Sequence, residues 1–263
     1  MDQNILLLIA VGFLAQMIDG ALGMAYKVSS ATVLLSLGLS PAVASAAVHV
    51  AGTFTSGVSG FSHFKFGNVD KKLFFRLLVP GILGGILGVY VLTETDARII
   101  RPFVAAYLLV MGLVILGKAF RKMAPKITEP RGGLIPLGFF GGFMDAIGGG
   151  GWGPIVTSTL VVGGRHPRFA VGSVNLAEFF VTFFQSVTFI LTLGNLADYW
   201  QIIAGLLIGG VIAAPLAAYV CKKIPARTLM ILVGLLITLL SLRTIYLAPQ
   251  TRAWIEALLV RVR

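Results

Sequence analysis

Charge is scarce in this chain. Only 12% of its 263 residues are Asp, Glu, Lys or Arg, while 57% are apolar. A soluble domain usually carries about a quarter charged residues. Polar side chain is too sparse to cover a globule of this size, so the outer surface has to face lipid. Cysteine is nearly missing too: the lone Cys221 excludes an internal disulfide framework and a cysteine-rich metal site. Acidic residues number 10 against 21 basic ones. The basic residues fall between apolar runs and not on one soluble face, which argues against nucleic acid and fits loops that set membrane topology. HExxH and GxSxG are absent, and no Walker lysine follows the glycines of 148–153. No catalytic residue, metal or cofactor is therefore expected. The Met1–Asn4 start lacks the basic region of a cleavable signal, so the first apolar run is expected to stay in the protein.

What the chain has is apolar runs. They lie at Ile5–Ile18, Val28–Leu39, Ala42–Phe61, Leu73–Leu92 and Phe103–Leu116, then at Leu134–Met144, Ile155–Val162, Ala170–Leu193, Ile202–Val220 and Leu229–Leu247. A helix needs about 20 residues to cross a hydrocarbon core. The third and fourth runs of each set reach that length. The first two of each set are shorter and are separated by glycine, so each pair is either two strained crossings or one re-entrant hairpin. Non-helical backbone at that depth is tolerated only where protein buries it or water lines it, which makes these pairs the expected site. The expected layout is a first membrane repeat over 1–117, a basic cytoplasmic linker over 118–132, a second repeat over 133–248, and an interfacial tail over 249–263 that carries Trp254 among Arg252, Arg261 and Arg263.

The two sets are related. A shift of 126 residues pairs Gly12 with Gly138, Asp19 with Asp145, Gly23 with Gly149, Pro41 with Pro167 and Ala51 with Ala177. Eleven identities over 43 ungapped positions hold this register, and it keeps Gly, Asp and Pro aligned, which apolar bias alone does not do. With both termini outside, the inner loops collect most of the basic residues, among them Lys65, Lys71, Lys72, Arg76, Arg165 and Arg168. Each half then crosses an odd number of times. The expected fold is an all-α membrane protein of two inverted-topology repeats, about five helical segments each, with broken helices near the midplane. The three arginines of the tail fall on the outer side, against the charge rule.

Several residues stand out within this frame. Gly148-Gly149-Gly150-Gly151-Trp152-Gly153-Pro154 reads as a glycine turn opening onto a helix start. Such an end offers unpaired N–H groups and partial positive charge to an anion; the bland alternative is close helix packing. It also spells GxGxxG, but no strand precedes it, so a dinucleotide site is rejected. The aligned first-half segment, Asp19 to Lys27, has fewer glycines and carries Lys27. A lysine between apolar runs is functional by default, or else snorkels near a short helix end. Tyr26 aligns with Trp152, and His49 with Asn175, each a hydrogen-bond donor. Ser29 and Thr157 are placed on the second short helices. The expected substrate-binding set is Lys27, Tyr26, His49, Gly149, Gly150, Gly151, Trp152, Asn175, Ser29 and Thr157. Asp19, Asp145 and Glu178 are the proton-coupling candidates, although the two aspartates can equally cap broken backbone. Glu178 aligns with Gly52, so that acid exists in one half only.

The duplicated pattern of an apolar run, a glycine turn (Gly148–Pro154), a short Ser/Thr-bearing run, a proline (Pro41, Pro167) and a long run with a central His49 or Asn175 resembles the sulfite exporter TauE/SafE family, also called the toluene sulfonate uptake permease family. The resemblance spans about residues 5–247. It implies a bacterial inner-membrane secondary transporter of sulfur-containing anions such as sulfite, sulfoacetate or related organosulfonates. The glycine turns and central polar residues would form its site. The first-half turn is poorer in glycine, so the half-sites are expected to act differently. The expected partners are a small anion and the lipid bilayer. A passive anion channel and a membrane scaffold without flux are the alternatives.

Overall fold

The computed structural model describes residues 4–22, 24–120, 133–163, 165–220 and 226–247. Most of the basic linker and all of the C-terminal tail lie outside the described residues. Among the described residues the chain is all helical, with no strand. The first half comprises α1 (Ile5–Leu22), α2 (Tyr26–Ser36), α3 (Pro41–Lys65), α4 (Lys71–Glu94) and α5 (Ala97–Phe120). The second comprises α6 (Leu134–Gly148), α7 (Ser158–Val162, entered through a π turn at Gly153–Thr157), α8 (Pro167–Thr192), α9 (Trp200–Val220) and α10 (Ala226–Leu247).

Local chemistry sets the boundaries. Ser40 accepts from Val43 N at the start of α3, with Pro41 in the first turn, and Asp70 accepts from Lys72 N and Leu73 N at the start of α4. The fifth run, read from sequence as Phe103–Leu116, extends to Ala97–Phe120, because polar ends such as Arg98 and Lys118 continue a helix without adding to its hydropathy. Four helical stretches are long and apolar enough to span a bilayer: Lys71–Glu94, Ala97–Phe120, Arg168–Thr192 and Leu196–Ala214. α3 is not one of them although it has 25 residues. Its Ser, Thr, Gly and His lower its hydropathy, and it is packed against α8 at the centre. Large apolar side chains such as Leu83, Leu191 and Leu239 are more than half exposed and form the face that lipid covers.

Close packing is made by glycine. A Cβ on Gly84 would lie 2.0 Å from Phe139 O, and one on Gly142 2.1 Å from Gly81 O, so α4 and α6 touch backbone to backbone. The same holds between α1 and α9: a Cβ on Gly12 would lie 2.4 Å from Leu206 O, and one on Gly209 2.1 Å from Ile9 O. Lipid gives apolar side chains no reason to associate, so small residues that let backbones approach take over this task. The first helix of each half thus packs on the fourth helix of the other.

Directions follow from the same contacts. Gly57 meets Phe179 and Gly60 meets Asn175, so α3 and α8 run antiparallel. Gly112 meets Thr238 and Gly234 meets Leu116, so α5 and α10 do too. Gly81 and Gly85 meet Val181 and Gln185, so α4 runs parallel to α8. α1 begins beside Gly205 near the start of α9. α2 ends where Arg101, at the start of α5, donates to Leu35 O at 2.8 Å and Arg243 donates to Ser36 O at 2.7 Å. Both ends of the α1–α2 pair therefore lie at one end of the bundle. At the opposite end α6 starts beside α4, and Lys118 near the end of α5 donates to Pro154 O and to the Ser158 hydroxyl.

Candidate functional site

Both hairpins are built around an aspartate. Asp19 Oδ1 accepts from Ala25 N at 2.7 Å and Tyr26 N at 3.0 Å. Asp145 Oδ1 accepts from Gly151 N at 2.7 Å and Trp152 N at 3.0 Å. The partners correspond at the 126-residue shift. Each carboxylate satisfies amides that the break in the helix leaves open. Gly149 adopts the left-handed region, with φ 64°, and Gly150 has φ 142°, and a Cβ on Gly150 would lie 2.5 Å from Val28 N. Glycine is needed at both positions for conformation and for close approach to α2.

The rings that align, Tyr26 and Trp152, are both buried. Tyr26 donates its hydroxyl to Leu206 O at 3.0 Å, and Trp152 donates Nε1 to Val174 O at 3.1 Å. Each lies against a glycine of the opposite half, Gly210 and Gly81 respectively. These donors anchor the hairpins to neighbouring helices.

Lys27 is the centre of the polar network. Its ammonium donates to Asp145 Oδ2 at 2.7 Å and to Thr182 Oγ1 at 3.0 Å, and it pairs with Glu178 Oε1 at 3.0 Å. The side chain is 7% exposed, Asp145 0% and Glu178 14%. An ammonium has three donors, and here all three are engaged, by residues of the other half. His49 Nε2 lies 3.2 Å from the same Asp145 Oδ2, and Nδ1 lies 2.7 Å from Ser45 O. Asp145 therefore joins α2, α3 and the glycine turn at one carboxylate.

A cavity of about 30 Å³ opens beside this network. It is lined by Asp19, Tyr26, Lys27, Val28, Gly150, Gly151, Gly153, Asn175 and Glu178, with Thr55, Ser56 and Ser59 from α3. That volume holds on the order of one or two waters. Of the residues expected to bind substrate, Lys27, Tyr26, Gly150, Gly151 and Asn175 line the cavity. His49 and Trp152 are buried away from it. Gly149 N donates to Asp145 O and closes the end of α6. Asn175 donates to Ser59 Oγ at 3.2 Å. Ser29 hydrogen-bonds back to Ala25 O, as hydroxyls on helices often do. Thr157 Oγ1 is buried without a partner among the described residues.

Two features escaped the sequence reading. The amides of the Gly149–Trp152 turn are already taken by Asp145, whereas those of Lys27, Val28 and Gly153 have no partner among the described residues. Thr182 completes the Lys27 cage. It lies four residues after Glu178, on the same face of α8, and that spacing was the available signal.

The family model described as "Sulfite exporter TauE/SafE" matches residues 8–244. The chain is 40% identical over 241 residues to the "Probable membrane transporter protein YtnM" of Bacillus subtilis (strain 168), covering 89% of this chain and 80% of that protein. No solved structure gives a significant match. A helical bundle with a lipid-facing apolar surface, and a family match over nearly its whole length, make this chain a membrane transporter that belongs to the sulfite exporter TauE/SafE family.

Proposed function

We propose that this protein is a secondary transporter of small sulfur-containing anions, such as sulfite, sulfoacetate or related organosulfonates, working by alternating access. The observation that carries the reading is Lys27. An ammonium held beside a cavity between the halves is costly in a membrane and marks a substrate path. Lys27, Val28 and Gly153, whose amides have no partner among the described residues, line the same cavity, and so does Asn175 with its side-chain amide. The Gly149–Trp152 turn serves the site by fixing Asp145, which in turn fixes Lys27. Tyr26 lines the cavity, and Trp152, His49, Ser29 and Thr157 shape this arrangement from behind.

The antiparallel pairs α3/α8 and α5/α10, and the reciprocal packing of α1 on α9 and α6 on α4, support two inverted repeats that rock about the central pair. Arg165 pairs with Asp70 at 3.4 Å, and Arg168 donates to Asn68 and Phe66 O. The basic loops of both halves thus meet at one end of the bundle, which supports a cytoplasmic placement of that end in the bacterial inner membrane, with both termini outside. Purified protein titrated with sulfite, sulfoacetate and sodium chloride tests the substrate class. Saturable thermal stabilisation by the sulfur anions, and none by chloride at equal ionic strength, is expected. Equal stabilisation by all three would overturn the reading.

A further inference from the structure

The coupling of this site to protons has a sign that its charge balance fixes, and a residue that carries it. We infer that Glu178 and the transported anion compete for the Lys27 ammonium, so that anion and proton bind together and the protein is a proton–anion symporter. This rests on the anion reading above and adds which group takes the proton and in which sense.

The charge count comes first. The cations paired with the acids of this network are Lys27 and, when protonated, His49; Lys118 bonds Pro154 O in the cavity wall and makes no ion pair with these acids among the described residues. Facing them are Asp145 from α6, Glu178 from α8 and Asp19 from α1. The ionisable residues of α4 lie toward its ends, and α7 contributes none. With all three acids ionised, even an imidazolium at His49 leaves two positive charges against three negative ones. An incoming anion worsens that surplus unless a proton accompanies it.

Geometry then selects the acid. All three donors of Lys27 are in use, so an anion that reaches the ammonium has to displace a partner. Asp145 is held by Gly151 N, Trp152 N, Lys27 and His49, and is fully buried. With His49 as imidazolium, donating from both ring nitrogens to Ser45 O and Asp145 Oδ2, both Asp145 oxygens are filled. Asp19 lines the cavity but makes no contact with the ammonium within ion-pair distance. Glu178 touches Lys27 through Oε1, has no backbone donor among the described residues, and is the most exposed of the contacting acids at 14%. Its protonation leaves a neutral carboxyl that accepts more weakly from Lys27, so that the anion can displace it from that N–H. In balance, the free carboxylate takes one proton from solvent, the ammonium stays protonated, and one anion occupies the vacated donor. Linkage makes the effect reciprocal: the bound anion favours the protonated acid as much as the proton favours the anion.

The test is calorimetric titration of the full-length protein with sulfite in two buffers of different ionisation enthalpy, comparing the parent with Glu178→Gln. Sulfite's own titration is common to both. The parent should take up about one more proton per sulfite than the variant, and its affinity should fall by up to about tenfold per pH unit on the alkaline side, while the variant's falls less. If Glu178→Gln does not fold, the parent alone still decides: no uptake beyond sulfite's own, or release of protons, overturns the inference. Equal uptake by both proteins places the proton elsewhere and overturns the role of Glu178. Absence of sulfite binding in both proteins overturns the anion reading itself.

Discussion

Replacing Lys27 by methionine should destabilise the protein through charge, and not through packing. Methionine is of similar length and unbranched, so the space is kept. What changes is that Asp145 and Glu178, at 2.7 and 3.0 Å from the lost ammonium, remain facing each other in a buried setting. Removing one partner of a buried ion pair costs about 3–5 kcal/mol. Glu178→Gln alone should cost about 1 kcal/mol, because the amide oxygen still accepts from Lys27 while one charge is lost. In the double variant the carboxylate that Lys27→Met strands is gone, so the two penalties should fall short of their sum by about 1–3 kcal/mol. Unfolding in mixed micelles of rising denaturing-detergent fraction reads all three proteins against the parent. A Lys27→Met penalty below about 1 kcal/mol, or strictly additive penalties, would refute the view that Lys27 is caged by the second half.

Two further outcomes follow from packing and topology. Gly142→Ala puts a Cβ 2.1 Å from Gly81 O where ordinary contact begins at 3.4 Å, so it should cost about 1–3 kcal/mol. Gly117→Ala, with nothing within 4 Å, should be neutral or stabilising by up to about 1 kcal/mol, and the pair compared by thermal unfolding checks the helix contact. Single cysteines placed at Lys71 and Glu94 in a Cys221→Ser background should differ in labelling by an impermeant thiol reagent. Glu94→Cys should react in intact cells and Lys71→Cys only after permeabilisation; the reverse pattern inverts the proposed orientation.

Much of the architecture was legible because duplication wrote it twice. The shift of 126 residues aligned Asp19 with Asp145, and the two carboxylates make corresponding bonds to Ala25 and Tyr26 and to Gly151 and Trp152. The capping reading of the aspartates was therefore available from spacing alone. The glycine turn was legible as a break, but its amides were read as open. Gly149 and Gly150 donate to the Asp145 carbonyl, and Gly151 and Trp152 to its carboxylate, whose rotamer spacing does not encode. Lys27 was legible as an anomaly in an apolar stretch. Its partners were not, since Asp145 and Glu178 lie 118 and 151 residues away and meet it only through helix packing. His49 and Asn175, aligned in sequence, occupy unlike surroundings: His49 is sealed against Asp145, and Asn175 lines the cavity. The reason is local. Lys27 and Glu178 stand where the other half has Gly153 and Gly52, and these two side chains break the symmetry of the centre.

The central claim is that a small sulfur-containing anion crosses the membrane through the Lys27 cavity by a carrier mechanism, and counterflow in proteoliposomes tests it most directly. Vesicles loaded with unlabelled sulfite and diluted into trace labelled sulfite should show a transient, saturable overshoot of label. Lys27→Met vesicles with the same protein content should show none. Uptake that rises linearly with concentration without an overshoot, or an overshoot that survives Lys27→Met, would contradict the account.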